Sequence, residues 1–225
     1  MFPTPPGWNA LQKRAQQTND SDELSKIIDE MDRLLSRHEK SSKRDWQYSR
    51  LFEQSTCKHN CIFYGSEDAL VAFLVPYFAD GLRKGEYCFG AQPSRVRARL
   101  LRRLLSSRLG IGGAVLRKAL KINSLEDTYF SNGRFEPHAM MDTLKGALDV
   151  SQSGRFSGLR VAGDVSWAMR ERKLFGQALY YEKLLDLYMP GKKMTTVCHY
   201  EASLCTPIEM VCLAHVHQRQ FRLAS

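Results

Sequence analysis

Short apolar runs alternate along most of the chain with longer segments whose apolar residues recur at helical spacing. The pattern predicts strands over residues 59–64, 86–91, 159–163 and 194–200. It predicts helices over residues 67–82, 93–109, 114–120, 137–151, 173–187 and 208–215. Strands and helices that alternate at these lengths are typical of an α/β fold, with a mainly parallel sheet and helices on both faces.

The first fifty or so residues follow a different pattern. Residues 1–19 are rich in Pro, Gln, Thr and Asn, which predicts a flexible arm. Asp20 and Glu23 have the spacing of a capping box, so an amphipathic helix is expected to begin there. Its apolar stripe consists of Leu24, Ile27, Ile28, Met31, Leu34 and Leu35.

Such a stripe must be buried against a dimer partner, a regulatory protein or the domain itself. We therefore divide the chain into an arm (1–19), a helix and linker for dimerisation or partner contact (20–56) and a domain of alternating strands and helices (57–225).

Composition is that of a globular protein, with 43% hydrophobic and 25% charged residues. The net charge of +9 is concentrated in the predicted helix 93–109, which carries six arginines. No aromatic residue alternates with them, so base stacking is not offered. A solvated basic face is favoured there over an acidic protein partner, and direct nucleic-acid binding is the less favoured interpretation.

The N-terminus lacks the features of a secretory signal, and the longest uncharged apolar run, residues 69–79, is too short to span a bilayer. Six cysteines are present without a CxxC pair. Several of them lie inside apolar runs, which favours buried free thiols over disulfides. We predict a cytoplasmic protein without a membrane contact.

No catalytic motif is evident. In a P-loop domain the first strand leads into a glycine-rich loop that ends in Lys. Here Tyr64 is followed by Gly65 and Ser66, and then by two acidic residues that would repel phosphates. The apolar strand that precedes Asp164 is similar to a Walker B element, but it has no P-loop lysine to work with. We also find no GxSxG elbow, so the chain is predicted not to be an enzyme.

Six segments together resemble the MEDS family, the methanogen/methylotroph sensory domain of the dichloromethane-dehalogenase regulator. In order they are HNCIFYGSEDAL, GLRKGEYC, GRFEP, GLRVAGDVSWA, YYEKLLD and VCHYEASL. The resemblance extends from His59 to His217. It implies a RecA/KaiC-like fold without a working P-loop. It also implies a sensory module that binds a small organic ligand, such as a hydrocarbon derivative, and signals to a regulatory protein.

The resemblance also marks individual positions as ligand-binding candidates. They are His59, Cys61, Tyr64, Arg160, Asp164, Trp167, Glu182, Cys198 and Tyr200. Glu86 matches a further family position. The chain departs from the family's pattern at His199, where Gln is frequent, and at His215-Val216, where His-Pro is frequent.

Two interpretations of the polar candidates remain open. His59, Cys61 and Cys198 could meet and hold a zinc ion, or the two cysteines could be small buried core residues. Arg160 and Glu182 could contact a ligand or form a structural ion pair with each other. No cofactor is predicted, with zinc as the alternative.

Three functions follow from these interpretations. The first is a non-catalytic sensory domain for a small organic ligand. The second is a degenerate RecA-like adaptor that binds proteins in transcriptional or stress regulation. The third is a metal or redox sensor built on His59, Cys61 and Cys198.

Overall fold

The computed structural model describes residues 7–17, 59–106, 118–154 and 156–223, together with positions 23, 26, 27, 30 and 33. The strands are β1 (His59–Tyr64), β2 (Tyr87–Ala91), β3 (Leu120–Asn123), β4 (Leu159–Asp164), β5 (Met194–Glu201) and β6 (Arg219–Leu223). The α-helices are α1 (Trp8–Gln17), α2 (Glu67–Arg83), α3 (Ser94–Ser106), α4 (Leu125–Tyr129), α5 (Pro137–Ser153), α6 (Trp167–Arg170), α7 (Phe175–Tyr188) and α8 (Pro207–Val216). Short 3-10 helices cover Arg172–Leu174 and Ala202–Leu204.

The six strands form one sheet in the order β3-β2-β4-β5-β1-β6. Every neighbouring pair is parallel. The central strands β1, β2 and β4 are buried along their whole length, as expected for a parallel sheet covered on both faces. The predicted α/β class with a parallel sheet is confirmed. The narrower RecA/KaiC-like assignment stays a prediction.

Helices pack on both faces of the sheet and enclose two apolar clusters. One cluster joins one face of the sheet to α5, α7 and α8. The other joins the opposite face to α2 and α3. Alternate residues of each strand enter alternate clusters, because successive strand side chains point to opposite faces. In β1, Cys61 and Phe63 belong to the first cluster, and Ile62 and Tyr64 belong to the second.

Local sequence explains where several helices begin. Ser66 caps α2, and its hydroxyl accepts a hydrogen bond from the Ala69 amide. Thr206 and Glu209 form a capping box at the start of α8. The helix α2 continues through Pro76 to Arg83.

Some elements differ from the sequence prediction. The helix predicted over 114–120 is wrong at its end, because Leu120 begins strand β3; residues 114–117 lie outside the described residues. Strands β3 and β6 were not predicted, since each is short and lies at an edge of the sheet with exposed or half-buried polar residues. The short helix α4 was also missed.

The chain divides into two compact units, Met1–Gln47 and Tyr48–Ser225. In the first unit, residues of the predicted flexible arm form helix α1, which corrects that part of the prediction. Leu11 on this helix is buried, and Arg14 pairs with Glu23 and Glu30, each at 3.8 Å. Burial of Leu11 favours an ordered helix there, and the exposed ion pairs add little.

The apolar stripe predicted for partner contact is described only at Ile27, which is helical and fully buried. The side chains of Leu24, Ile28, Met31, Leu34 and Leu35, and the Asp20 cap, lie outside the described residues. Partner contact and dimerisation through this stripe stay predictions.

The basic face of α3 lies beside acidic residues of α2. Arg95 and Arg99 both pair with Glu67, at 3.3 and 3.4 Å, and Arg99 also contacts Asp68. These exposed pairs neutralise part of the basic helix, and each contributes on the order of 1 kcal/mol or less.

None of the described helices has the length and apolar character needed to cross a bilayer. The described cysteines, Cys61, Cys88, Cys198, Cys205 and Cys212, are free.

Candidate functional site

The ligand-binding candidates do not form one group. They fall into two polar clusters on opposite faces of the sheet, one separate ion-pair group and an aromatic core. We call the first the Glu182 cluster and define it as His59, Glu182, Cys198, Tyr200 and His217. We call the second the Asp164 cluster and define it as Tyr64, Gln92, Asp164, Ser166 and His199.

The Glu182 cluster lies between the sheet and helix α7. Strands β1 and β5 are neighbours, so His59 and Cys198 approach each other from adjacent strands. Glu182 reaches them from α7, and His217 arrives from the residues between α8 and β6. The side chains of His59, Glu182 and His217 have no exposed surface.

One carboxylate collects most of the contacts in this cluster. Glu182 Oε2 lies 3.2 Å from His59 Nε2, 3.4 Å from His217 Nε2 and 3.1 Å from Cys198 Sγ. The Tyr200 hydroxyl donates to Glu182 Oε1 at 2.6 Å. A buried carboxylate requires such partners, because burial of an unpaired charge is costly.

The second ring nitrogen, Nδ1, of each histidine contacts a group outside the cluster. His217 Nδ1 donates to the Leu213 carbonyl at 2.7 Å, since a carbonyl oxygen can only accept. His59 Nδ1 lies 3.3 Å from the Asp186 carboxylate. A neutral His59 has one N–H for two carboxylates, and a neutral His217 has none left for Glu182.

Burial and neighbouring charges shift the pKa values of the groups in this cluster in different directions. Burial alone would raise the pKa of Glu182, but His217 and His59 outweigh it and hold that pKa well below its usual range. Burial, followed by the charge of His217, lowers the pKa of His59. Burial and the nearby Glu182 raise the pKa of the Cys198 thiol well above its usual value, so the thiol donates to the carboxylate.

The Asp164 cluster lies at the carboxyl ends of four adjacent strands, on the opposite face. The Tyr64 hydroxyl donates to Asp164 Oδ2 at 2.9 Å, and the Ser166 amide donates to Asp164 Oδ1 at 2.9 Å. His199 Nδ1 lies 3.3 Å from Asp164 Oδ2. Gln92 follows β2, level with Asp164 on β4, and its amide nitrogen donates to the Ala162 carbonyl at 3.0 Å.

Three buried polar atoms of this cluster lack a hydrogen-bond partner among the described residues. They are Gln92 Oε1 and the two ring nitrogens of His199, and both side chains are fully buried. Of these atoms, His199 Nδ1 lies 3.3 Å from the Asp164 carboxylate. Burial of a polar atom without a partner costs roughly 1–3 kcal/mol. Such atoms require a partner beyond the described residues, which a water or a bound molecule would supply.

Burial opposes ionisation of Asp164, but His199 and then Tyr64 outweigh it, so the pKa of Asp164 stays below its usual value. Burial and the Asp164 charge raise the pKa of Tyr64 far above its usual range. Tyr64 is therefore a neutral donor and Asp164 an ionised acceptor at neutral pH.

Arg160 pairs with neither cluster. Its guanidinium contacts Asp80 at 3.0 Å and also Glu86, and it donates to the Tyr77 carbonyl. The suggested ion pair between Arg160 and Glu182 is wrong, because Arg160 points to the α2 face of the sheet and Glu182 lies on the other. Gly81 leaves room for this arrangement, since a Cβ there would overlap the arginine side chain.

Trp167 and Cys61 lie in the apolar core. Trp167 packs against Tyr129, Phe130 and Phe135, with ring centroids 4.5–5.3 Å apart. Cys61 is fully buried and is the register partner of Cys198, but it is not among the four residues, His59, Glu182, Cys198 and His217, whose side-chain N, O and S atoms lie close together. Roles of both residues in ligand binding stay predictions.

Comparison with known families gives one match. The model of the MEDS family, described as the MEthanogen/methylotroph, DcmR Sensory domain, matches residues 58–218. The chain belongs to the MEDS family. A search of curated proteins finds no match. The MEDS match begins just before β1 and ends just before β6, so both polar clusters lie inside it.

Sequence reasoning missed several residues of the two MEDS-domain clusters. His217, Asp186, Gln92, Ser166 and His199 were not among the candidates, although His199 was noted as a departure from the family's pattern. His199 and Cys198 are successive strand residues, so they point to opposite faces of the sheet. That alternation was the available signal that the candidates would divide between two sites.

Proposed function

We propose that this MEDS domain is a non-catalytic sensor. It binds a small organic molecule at the carboxyl edge of its sheet and passes the signal to a regulatory protein. The Asp164 cluster is the proposed binding site. The observation that carries this proposal is the pair of fully buried, unpartnered atoms Gln92 Oε1 and His199 Nε2 at that edge.

The topology of the sheet supports this location. Strand β1 leads into α2, which packs on one face, while the neighbouring β5 leads into α8, which packs on the other. Helices that leave adjacent strands in opposite directions open a crevice at the carboxyl ends of those strands. Ligands of open α/β sheets bind in such crevices. Tyr64, Asp164 and His199 all lie at this edge.

The unpartnered atoms also limit the chemistry of the ligand. Gln92 Oε1 can only accept a hydrogen bond, because it is a carbonyl oxygen. His199 Nε2 donates or accepts according to its tautomer. A short hydrocarbon with a hydroxyl, amine or amide group would satisfy Gln92, and the ionised Asp164 beside it disfavours an anionic ligand.

Thermal unfolding with a panel of short alcohols, amines and amides tests the proposal. A ligand at ten times its Kd stabilises the folded state by about 1.4 kcal/mol, which raises Tm by roughly 3–6 °C. We expect Gln92→Met to abolish that shift, because it removes the acceptor and keeps the side-chain length.

Thr196→Val is the matched control. Thr196 Oγ1 is also buried without a described hydrogen-bond partner, but it lies on the Glu182 face of the sheet. The control should keep the full ligand-induced shift. No shift with any member of the panel, or an equal shift in wild type and Gln92→Met, would remove the support for this site and favour the protein-binding adaptor.

A further inference from the structure

The Glu182 cluster has the spacing of a metal site. Four ligand atoms, one each from His59, Glu182, Cys198 and His217, all lie within 4.8 Å of one another. The contacts to Glu182 Oε2 are 3.1–3.4 Å, and Cys198 Sγ lies 3.7 Å from His59 Nε2. Around a tetrahedral zinc ion, bond lengths of about 2.0–2.3 Å place neighbouring ligand atoms roughly 3.3–3.8 Å apart.

The orientation of the histidines points the same way. His217 Nδ1 donates its proton to the Leu213 carbonyl, so in the neutral ring the lone pair of Nε2 faces Glu182. This nitrogen is fully buried and has no hydrogen-bond partner among the described residues. A lone pair aimed at a carboxylate oxygen is unfavourable unless a cation lies between them.

His59 repeats this arrangement. Its Nδ1 faces the Asp186 carboxylate at 3.3 Å, and its Nε2 faces Glu182. A metal-bound histidine commonly donates its other N–H to a carboxylate or a backbone carbonyl. His59 with Asp186 and His217 with Leu213 supply one example of each.

Hydrogen bonds alone give a less satisfactory account of the cluster. Without a cation, His217 must carry a second proton to donate to Glu182, and His59 needs one as well if it is to donate to both Glu182 and Asp186. The two ring centroids are only 4.2 Å apart, so two buried positive rings would repel each other. A single divalent cation would be coordinated by the lone pairs of both rings and would balance the negative charge of Glu182.

We propose that this cluster binds one divalent transition-metal ion of the zinc class. The ligands are His59 Nε2, Glu182 Oε2, Cys198 Sγ and His217 Nε2. Two imidazoles, a thiolate and a carboxylate form a donor set that suits zinc. Metal binding would deprotonate the Cys198 thiol and release its proton to solvent.

Four protein ligands close the coordination sphere, which is typical of structural rather than catalytic zinc. The ion would connect β1, β5, α7 and the residues just before β6. Tyr200 would orient the carboxylate through its hydrogen bond to Glu182 Oε1. The site is independent of the proposed organic-ligand site, because it lies on the opposite face of the sheet.

Cys198→Ser and Cys61→Ser form a matched pair for the test. Both cysteines are buried, lie on the same face and are register partners in adjacent strands, but only Cys198 is a proposed ligand. Full-length protein, purified without a metal-affinity column and stripped with a chelator, is titrated with Zn²⁺ and followed by native mass spectrometry. Co²⁺ is added in parallel to detect a thiolate-to-cobalt charge-transfer band.

We expect one Zn²⁺ per chain, and a charge-transfer band in wild type and Cys61→Ser. Cys198→Ser should lose the band and bind Zn²⁺ at least about tenfold more weakly. If Cys198→Ser does not fold, Asp186→Ala serves instead, because Asp186 is partly exposed and holds His59 from outside. It should weaken Zn²⁺ binding by about 10–100-fold. Wild type that binds no Zn²⁺, or equal affinities and spectra across all variants, would overturn the proposal.

Discussion

The two polar clusters have similar ingredients and opposite arrangements. Each places a buried carboxylate beside a histidine and a tyrosine hydroxyl, on opposite faces of one sheet. Around Asp164, a hydroxyl and a backbone amide donate to the carboxylate, and the unpartnered atoms lie beside it. Around Glu182, two imidazole nitrogens and a thiol converge on one carboxylate oxygen.

This difference shows why residue type alone does not define a site. The Asp164 carboxylate is satisfied by its neighbours, so a ligand is expected to bind the atoms around it rather than Asp164 itself. At Glu182, several ligand-type atoms converge on one carboxylate oxygen, which is the arrangement that the proposed metal ion would occupy. Both clusters are buried, but the Asp164 cluster lies at the carboxyl ends of the strands and the Glu182 cluster lies between the sheet and α7.

Loss of the carboxylate should produce the largest contrast between the clusters. Glu182→Leu removes the acceptor shared by two histidines, Cys198 and Tyr200, and we expect the free energy of unfolding to fall by about 3–5 kcal/mol. Asp164→Leu should cost less, about 1–3 kcal/mol, because fewer polar groups depend on that carboxylate: the Tyr64 hydroxyl, the Ser166 amide and His199.

Urea denaturation of metal-stripped protein measures both values without a contribution from bound ions. Equal losses in the two variants would show that the number of groups that contact each carboxylate does not set the cost of its removal.

Removal of one hydroxyl should give a smaller contrast. Tyr200→Phe deletes the 2.6 Å donor to Glu182, and we expect a loss of about 1.5–3 kcal/mol, as is usual for hydrogen bonds to charged groups. Tyr64→Phe should lie near the lower end of that range, since the Ser166 amide and His199 still contact Asp164.

The same denaturation measurements provide the test for this tyrosine pair. A larger loss for Tyr64→Phe than for Tyr200→Phe would reverse the expected order.

The smallest expected effect is a pH dependence that belongs to Asp164. Its folded-state pKa is lowered from the usual 3.8, so the ionised form stabilises the fold above that value. The contribution is lost as pH falls through the folded-state pKa. The effect is small because burial opposes the hydrogen bonds that lower the pKa.

The comparison to make is between wild type and Asp164→Asn, which cannot ionise. As the pH falls from about 5 to about 3, wild type should lose stability relative to the variant, because only wild type has the ionised Asp164 to lose. A constant difference over that interval would mean that the pKa of Asp164 is the same in the folded and unfolded chain.

Much of the MEDS fold follows from sequence pattern. The run HNCIFY at 59–64, apolar from Cys61 onward, predicts β1 with the bounds that the structure shows, and Ser66 caps α2. Strand β6 could not be predicted in this way, because its Arg, Gln and Phe residues alternate at an exposed edge without a continuous apolar run. Strand β3 has only four residues, too few for a periodic signal.

By itself, the sequence determined the α/β class, the parallel arrangement and membership of the MEDS family, because apolar periodicity and local motifs are properties of neighbouring residues. Only the tertiary structure decided which polar residues meet. Strand order placed β5 beside β1, helix α7 brought Glu182 over them, and the chain returned to place His217 against the same carboxylate. Contacts between residues more than 100 positions apart, such as His59 and Glu182, depend on the order of strands and the packing of helices, which local sequence does not encode.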